Sequence, residues 1–230
     1  MSIKLKALSL GLMALLATAG FAVVNASATV SGHFTHDNVT NNATIIGTEN
    51  GTHDLEFREE GSSPEDPGIT CTHAHYHGEV TAKTVQTVTV KPTYTQCQTT
   101  KAATHNVTVH TNGCGFTLHS RTPPGDATVE VECPTGKSIV ITHPNCEITV
   151  PAQKPSATHL TGGLFYHTTQ EGNPLKHTLT ATVTVKKITG QFHGGLCVFL
   201  GTSHLFEMNG SLTVEGKDPV SGNRVNITHT

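Results

Sequence analysis

Three histidines stand two residues apart in the segment Cys71-Thr72-His73-Ala74-His75-Tyr76-His77. In an extended strand such residues share a face and lie about 6.5–7 Å apart, so His73, His75 and His77 line up on one side. Neutral imidazoles are common ligands of zinc and copper, and a His-x-His pair can chelate one ion. The segment therefore predicts a zinc or copper site. The alternative is that these are solvent-facing histidines of a chain that contains 16 of them.

Sequence signatures of a catalytic nucleophile are absent. The chain has no Gly-x-Ser-x-Gly elbow, no His-Glu-x-x-His motif and no phosphate-binding loop. A Ser-His-Asp arrangement built from distant residues would leave no such trace, although the chain offers only five aspartates for it. A secreted, hydrolase-like enzyme with a non-contiguous site is therefore an alternative function, and a cleft with converging acid, base or nucleophile groups would favour it.

The first 28 residues have the pattern of a secretory signal peptide. Lys4 and Lys6 precede an apolar run from Ala7 to Val24, and Ala26-Ser27-Ala28 fits the small-residue cleavage site. We expect cleavage after Ala28 and a secreted, extracellular chain of residues 29–230, with no membrane segment after cleavage. An uncleaved membrane anchor is the alternative.

The six cysteines all lie in this expected mature chain, and an even number in an exported protein predicts three disulfides, each worth about 2–4 kcal/mol. Strand hairpins suggest how they pair, because residues equidistant from a turn lie opposite one another. The midpoint of Cys71 and Cys97 is residue 84, and that of Cys114 and Cys133 falls in the Thr122-Pro123-Pro124-Gly125 turn. Cys146 then pairs with Cys197. The alternative joins Cys133 to Cys146 and Cys114 to Cys197.

Residue parity in the first hairpin predicts which side chains face the core. Tyr76, Val88, Val90 and Tyr94 are even-numbered and apolar, and we expect them to point inward. Cys71, Cys97 and the three histidines are odd-numbered, so we expect them to share the opposite face.

Composition narrows the classes of partner. The net charge is −3 for the whole chain and becomes −5 without Lys4 and Lys6, which excludes the basic surface of a nucleic-acid-binding protein. Charged residues are only 13% and threonines number 39 of 230. Threonine is β-branched and favours strands over helices.

Alternation of apolar and polar residues is the strongest structural signal after residue 40. Each alternating run predicts a half-buried strand, and segments rich in Pro, Gly and Asn separate the runs. The runs are Thr87–Val90, Asn106–Val109, Thr128–Val131, Ser138–Ile141 and Thr180–Val185. We therefore predict an all-β fold, an antiparallel β-sandwich of about a dozen short, disulfide-stapled strands, formed by residues 29–230 as one domain or as two small halves dividing near residues 150–160.

Several tracts resemble a known family. They include Cys133–Ile139 (CPTGKSI), Asn145–Pro151 (NCEITVP) and His193–Cys197 (HGGLC). Together they resemble a paralogue-rich family of secreted, threonine-rich, six-cysteine β-proteins of soil actinobacteria, to which no activity is assigned. The resemblance implies export and an all-β fold, but it covers the region around Cys71 poorly, where the family carries Thr and Ser more often than His.

The expected function is therefore binding or structural rather than enzymatic. We expect a secreted β-sandwich protein with an extracellular or cell-surface ligand that the sequence does not identify, and with no cofactor unless the three histidines bind zinc or copper.

Overall fold

The computed structural model describes residues 32–40, 42–49, 55–63, 67–100, 106–120, 127–144, 146–154, 165–169, 178–194, 197 and 205–229. The predicted signal peptide, the Thr122–Gly125 turn and most of the predicted division at 150–160 lie outside these ranges. In the described ranges no helix is long and apolar enough to cross a membrane.

The fold is all-β and antiparallel, as the alternation predicts, and it contains seventeen strands among the described residues. The strands are β1 Phe34–His36, β2 Ala43–Glu49, β3 Leu55–Glu59, β4 Gly68–Val80, β5 Thr84–Val85, β6 Thr87–Thr99, β7 Thr108–His110, β8 Gly115–Ser120, β9 Ala127–Glu132, β10 Ser138–His143, β11 Cys146–Pro151, β12 Phe165–Thr169, β13 Thr178–Thr189, β14 Gln191–His193, β15 Leu205–Lys217, β16 Arg224–Val225 and β17 Ile227–His229.

The strands are more numerous than predicted and not all are short, since β4, β6 and β15 each have 13 residues. All five alternating runs lie in strands or extend into them. No alternating run predicted β15, because Asn209-Gly210-Ser211 in its middle has the composition of a turn.

Three sheets build a sandwich-like structure. The large sheet has ten strands with the main order β12-β13-β15-β2-β4-β6-β8-β9, and β3 and β16 pair beside this path. A three-stranded sheet (β17-β1-β5) and a four-stranded sheet (β14-β11-β10-β7) make the second layer. Phe34 and Ile227 of the small three-stranded sheet, and Ile141 and Val150 of the four-stranded one, are buried in the same apolar core as the inner face of the large sheet.

The strands before and after the predicted division at 150–160 share the large sheet. β13 pairs with β15, and β15 pairs with β2, which comes early in the chain.

The disulfides are Cys71–Cys97, Cys114–Cys133 and Cys146–Cys197, as the hairpin midpoints predict, and the alternative pairing is wrong. Cys71 and Cys97 lie directly opposite each other on β4 and β6. Cys114 and Cys133 extend the β8–β9 register by one residue. No free cysteine occurs among the described residues.

The predicted face of the first disulfide is wrong. Cys71 and Cys97 are 4% and 2% exposed and lie in the core, on the same side as Tyr76, Val88 and Val90. The inner face changes from odd to even numbers between Cys71 and Ala74 on β4, and from even to odd between Tyr94 and Cys97 on β6. Gln96 has a φ of 54°, a left-handed conformation outside ordinary strand geometry, and the change on β6 falls at this residue while the β4–β6 register stays the same.

Candidate functional site

The three histidines of β4 lie on the outer face of the large sheet, as predicted. His75 and His77 are exposed, and the His73 side chain is 43% exposed. They alternate with Ala74 and Tyr76, which are buried in the core. The sequence therefore placed these side chains on the correct face.

The predicted zinc or copper site gains no support from the geometry. In the part of the chain that the structure describes, no group of three or more His, Cys, Asp or Glu side chains is placed to hold a metal ion. His73 is also engaged elsewhere.

His73 and Glu49 meet at a gap in the large sheet. β2 and β3 occupy one strand position between β15 and β4, because both pair with these same two neighbours. Where β2 stops, Glu49 replaces the missing backbone partner. Its Oε2 accepts a hydrogen bond from the Ala74 N–H at 2.8 Å, and its Oε1 lies 2.9 Å from His73 Nδ1.

The electrostatics of Glu49 fit this role. Burial raises the pKa of its carboxyl group, but hydrogen bonds from His73 and from the Ala74 N–H outweigh burial and hold the pKa below its ordinary value. No sequence pattern indicates this contact, since Glu49-Asn50-Gly51 has the composition of a simple turn.

A row of hydroxyl and imidazole side chains crosses the outer face beside this gap. Thr93 of β6 is in register with His75 of β4, His75 with Thr48 of β2, and Thr48 with Thr213 of β15. His77 is the next residue on the same face of β4, two positions after His75, and it is exposed. We name Thr48, His75, His77, Thr93 and Thr213 the histidine–threonine face.

Neighbouring strands in a sheet are about 4.7–4.9 Å apart, so the four members of the row are regularly spaced over about 14 Å. Their polar groups are hydroxyls and an imidazole, all of which donate and accept hydrogen bonds. The arrangement can bind a partner that presents many hydrogen-bonding groups on a flat surface.

A serine–histidine pair does form between distant segments. Ser120 Oγ lies 2.8 Å from His229 Nε2, and the two residues are 109 positions apart. However, Ser120 is 0% exposed, and the His229 ring stacks on Phe34 with centroids 4.3 Å apart. A hydroxyl that no solvent reaches cannot attack a substrate, so this pair is a buried polar link between β8 and β17.

A shallow surface depression of about 480 Å³ contains Glu130, Glu132 and Lys154. Glu130 Oε1 lies 2.7 Å from Lys154 Nζ, and its Oε2 lies 3.3 Å from His119 Nε2. The ion pair raises the pKa of Lys154, chiefly through the hydrogen bond to Glu130. No serine, threonine or cysteine thiol lines the depression, and Glu130 is already occupied by two partners, so the cleft expected of a hydrolase is not built here.

The fold and the outer face define a sandwich-like, disulfide-stapled, all-β protein with an open polar sheet face. No family model, no curated protein and no solved structure matches the chain. The resemblance to the actinobacterial family therefore stays an expectation.

Proposed function

We propose that this chain is a secreted, non-enzymatic binding protein that attaches to an extracellular or cell-surface polymer through the histidine–threonine face. The observation that carries the proposal is the in-register row Thr93–His75–Thr48–Thr213 on the outer face of the large sheet, where Thr93 and His75 are exposed and Thr48 and Thr213 are half-buried. Three disulfides support export, because such bonds persist in oxidising compartments.

The chemistry of the face favours a hydroxyl-rich ligand such as a polysaccharide. Threonine has a stiff first side-chain torsion, so its hydroxyl loses little conformational freedom when it is ordered on binding. The strands fix the spacing of the hydroxyls before the ligand arrives. A long polymer can then engage several of them at once, which compensates for the modest strength of each hydrogen bond.

A hydrolytic activity is not proposed. The described serine–histidine pair is closed to solvent, and the Glu130 depression lacks a nucleophile.

The test is co-sedimentation of the protein with insoluble chitin, cellulose and peptidoglycan. We expect retention on at least one polymer, and at least about a tenfold loss of affinity in the double variant His75→Glu/Thr93→Glu, because two carboxylates repel one another and disrupt the row. The control is Thr135→Glu/Val220→Glu, which substitutes glutamate at two exposed positions away from the face and should bind as the wild type does. Equal affinity of all three proteins, or no retention on any of the three polymers, would contradict the proposal.

A further inference from the structure

The sandwich contains two interior cavities, one beneath each small sheet. The first has a volume of about 70 Å³ and lies between the large sheet and the three-stranded sheet, where Phe34 and Ile227 line it. The second has a volume of about 50 Å³ and lies beneath the four-stranded sheet, against Ile141 and Val150.

Both cavities are apolar. Among the described residues that line them, none has a charged side chain, and the polar side-chain groups are the hydroxyls of Tyr76 in the first and Tyr94 in the second. A buried water needs two to four polar partners, so cavities of this composition stay dry and favour apolar guests.

The wall between the cavities is thin and adaptable. Phe116 and Met208 line both cavities. The Tyr76 and Tyr94 hydroxyl oxygens are 3.2 Å apart, and the Tyr94 O–H points to Met208 Sδ at 4.0 Å. Methionine is unbranched and changes its side-chain conformation easily, so Met208 can move aside and join the two spaces.

We propose that the two cavities form one binding site for a small, uncharged, apolar molecule that carries a single carbonyl or hydroxyl oxygen. The thioether sulfur is a weak acceptor, so the Tyr94 O–H gains a stronger hydrogen bond when it turns from Met208 to the oxygen of a guest. Cavities of 70 and 50 Å³ together approach the size of an engineered apolar cavity of about 150 Å³ that takes up benzene. The guest is therefore about the size of a six-membered ring.

The electrostatics of the wall support an uncharged guest. Burial raises the pKa of Tyr76 to about 12 and raises that of Tyr94 well above its ordinary value, so both phenols are neutral at physiological pH. An ionic guest would find no counter-charge among the lining residues.

The architecture also supplies a route of entry. No strand pairing joins the three-stranded sheet to the four-stranded sheet among the described residues. The second layer is therefore divided above Met208, and the two small sheets can separate there without breaking backbone hydrogen bonds between them. This site is independent of the histidine–threonine face, which lies on the opposite side of the large sheet.

The sequence provides a single internal reporter. The chain has three methionines, and Met1 and Met13 lie in the predicted signal peptide, which leaves Met208 alone in residues 29–230. Labelling with [¹³C-methyl]methionine gives a signal at the wall between the cavities, assigned by its loss in Met208→Leu. Titrations use benzene, which has no oxygen, and cyclohexanone, which has one carbonyl.

We expect a saturable shift of the Met208 methyl signal with both probes. Cyclohexanone should bind more tightly, and Tyr94→Phe should weaken it by about tenfold while changing benzene binding by less than about twofold, since one hydrogen bond is removed. The double variant Val88→Ile/Val214→Ile, which adds two methylene groups to the first cavity and keeps both tyrosines, should weaken both probes by at least about tenfold.

Three results would overturn the inference. The absence of a saturable Met208 shift with either probe would remove the site. Equal cyclohexanone affinity in wild type and Tyr94→Phe would remove the hydrogen-bonding anchor. Unchanged binding to Val88→Ile/Val214→Ile, the variant with the filled first cavity, would mean that the probes bind outside this cavity. A dispersed methyl spectrum and a single unfolding transition verify that each variant is folded, and the filled variant tests the site even where Tyr94→Phe does not fold.

Discussion

Glu49 shows how one side chain can complete a sheet whose backbone is interrupted. Between the end of β2 and the start of β3, no strand among the described residues pairs with β4 on that side. The Glu49 carboxylate accepts from the Ala74 N–H and contacts His73, so a buried backbone donor is satisfied. Hydrogen bonds to a charged acceptor are stronger than those between neutral groups. This carboxylate therefore holds the outer face in place next to His75.

Replacing Glu49 tests this role. Gln has the shape of Glu but no charge, so Glu49→Gln loses the charge-assisted character of the Ala74 and His73 hydrogen bonds, and we expect the free energy of unfolding to fall by about 2 kcal/mol at neutral pH. The pKa of Glu49 is lowered in the folded protein, so its stabilisation is fully present above the ordinary value of 4.5 and is lost as the pH falls below it through the folded-state pKa. The difference between wild type and variant should therefore shrink below pH 4.5.

Urea unfolding between pH 3 and 8 measures both effects. The matched control is Glu79→Gln on the neighbouring strand β4, whose exposed Oε1 accepts a hydrogen bond from Asn42 Nδ2 at 3.1 Å. We expect a change of less than about 0.5 kcal/mol for this control, as is usual for surface substitutions. A pH-independent difference for Glu49→Gln would mean that its charge is not involved.

At the scale of the strands, the residues that face the core change between odd and even numbers within three strands of the large sheet. Besides β4 and β6, the change occurs on β13, where Val185 and Ile188 are both buried with two residues between them. Gln96 and Lys187, the two residues with positive φ on these strands, have φ values of 54° and 60°. Val185 lines the first cavity and Ile188 the second. These departures from regular strand geometry mark where the large sheet passes from one small sheet to the other.

The left-handed conformation of Gln96 predicts an unusual order of substitution effects. A β-branched residue is strained at positive φ, so Gln96→Val should lower the free energy of unfolding by about 1 kcal/mol relative to Gln96→Gly. At Thr93, which lies three residues earlier on β6 and has no positive φ, the order should reverse, with Gly less stable than Val by about 1 kcal/mol. Chemical denaturation of the four variants gives the comparison. The same order at both positions would argue against the left-handed conformation of Gln96.

At the scale of the molecule, the three disulfides link separate segments of the chain and close loops of different lengths. Cys71–Cys97 and Cys114–Cys133 link neighbouring strands and close loops of 26 and 19 residues. Cys146–Cys197 closes 51 residues and fixes β11 of the four-stranded sheet to the segment that leads into β15. Loop-closure entropy predicts about 3–4 kcal/mol for each bond, with the largest contribution from the longest loop.

Removing each pair by double Cys→Ala substitution tests this order. We expect Cys146→Ala/Cys197→Ala to lower the free energy of unfolding most and Cys114→Ala/Cys133→Ala least, as measured by denaturant unfolding.

Thiol titration of denatured, secreted wild-type protein should find no free thiol, and intact mass should place the N-terminus at Thr29. Two or more free thiols in that material would contradict three disulfides in the exported protein.

The sequence by itself determined the features that depend on neighbours along the chain. Alternation predicted several of the strands, because period-two burial is local. Hairpin midpoints predicted Cys71–Cys97 and Cys114–Cys133, because residues equidistant from a turn lie opposite one another, and Cys146–Cys197 followed by elimination. The outward position of the three β4 histidines followed from the same local rule.

Only the tertiary structure decided the features that depend on contacts between distant segments. Cys71 and Cys97 lie in the core because the inner face changes parity on β4 and on β6, although their parity with the histidines indicated the opposite face. The Glu49–Ala74 contact depends on β2 and β3 sharing one strand position, and the cavities depend on how two separate sheets cover a third. Such placements are set by packing between layers, and because residues far apart in the chain make these contacts, no local periodicity encodes them.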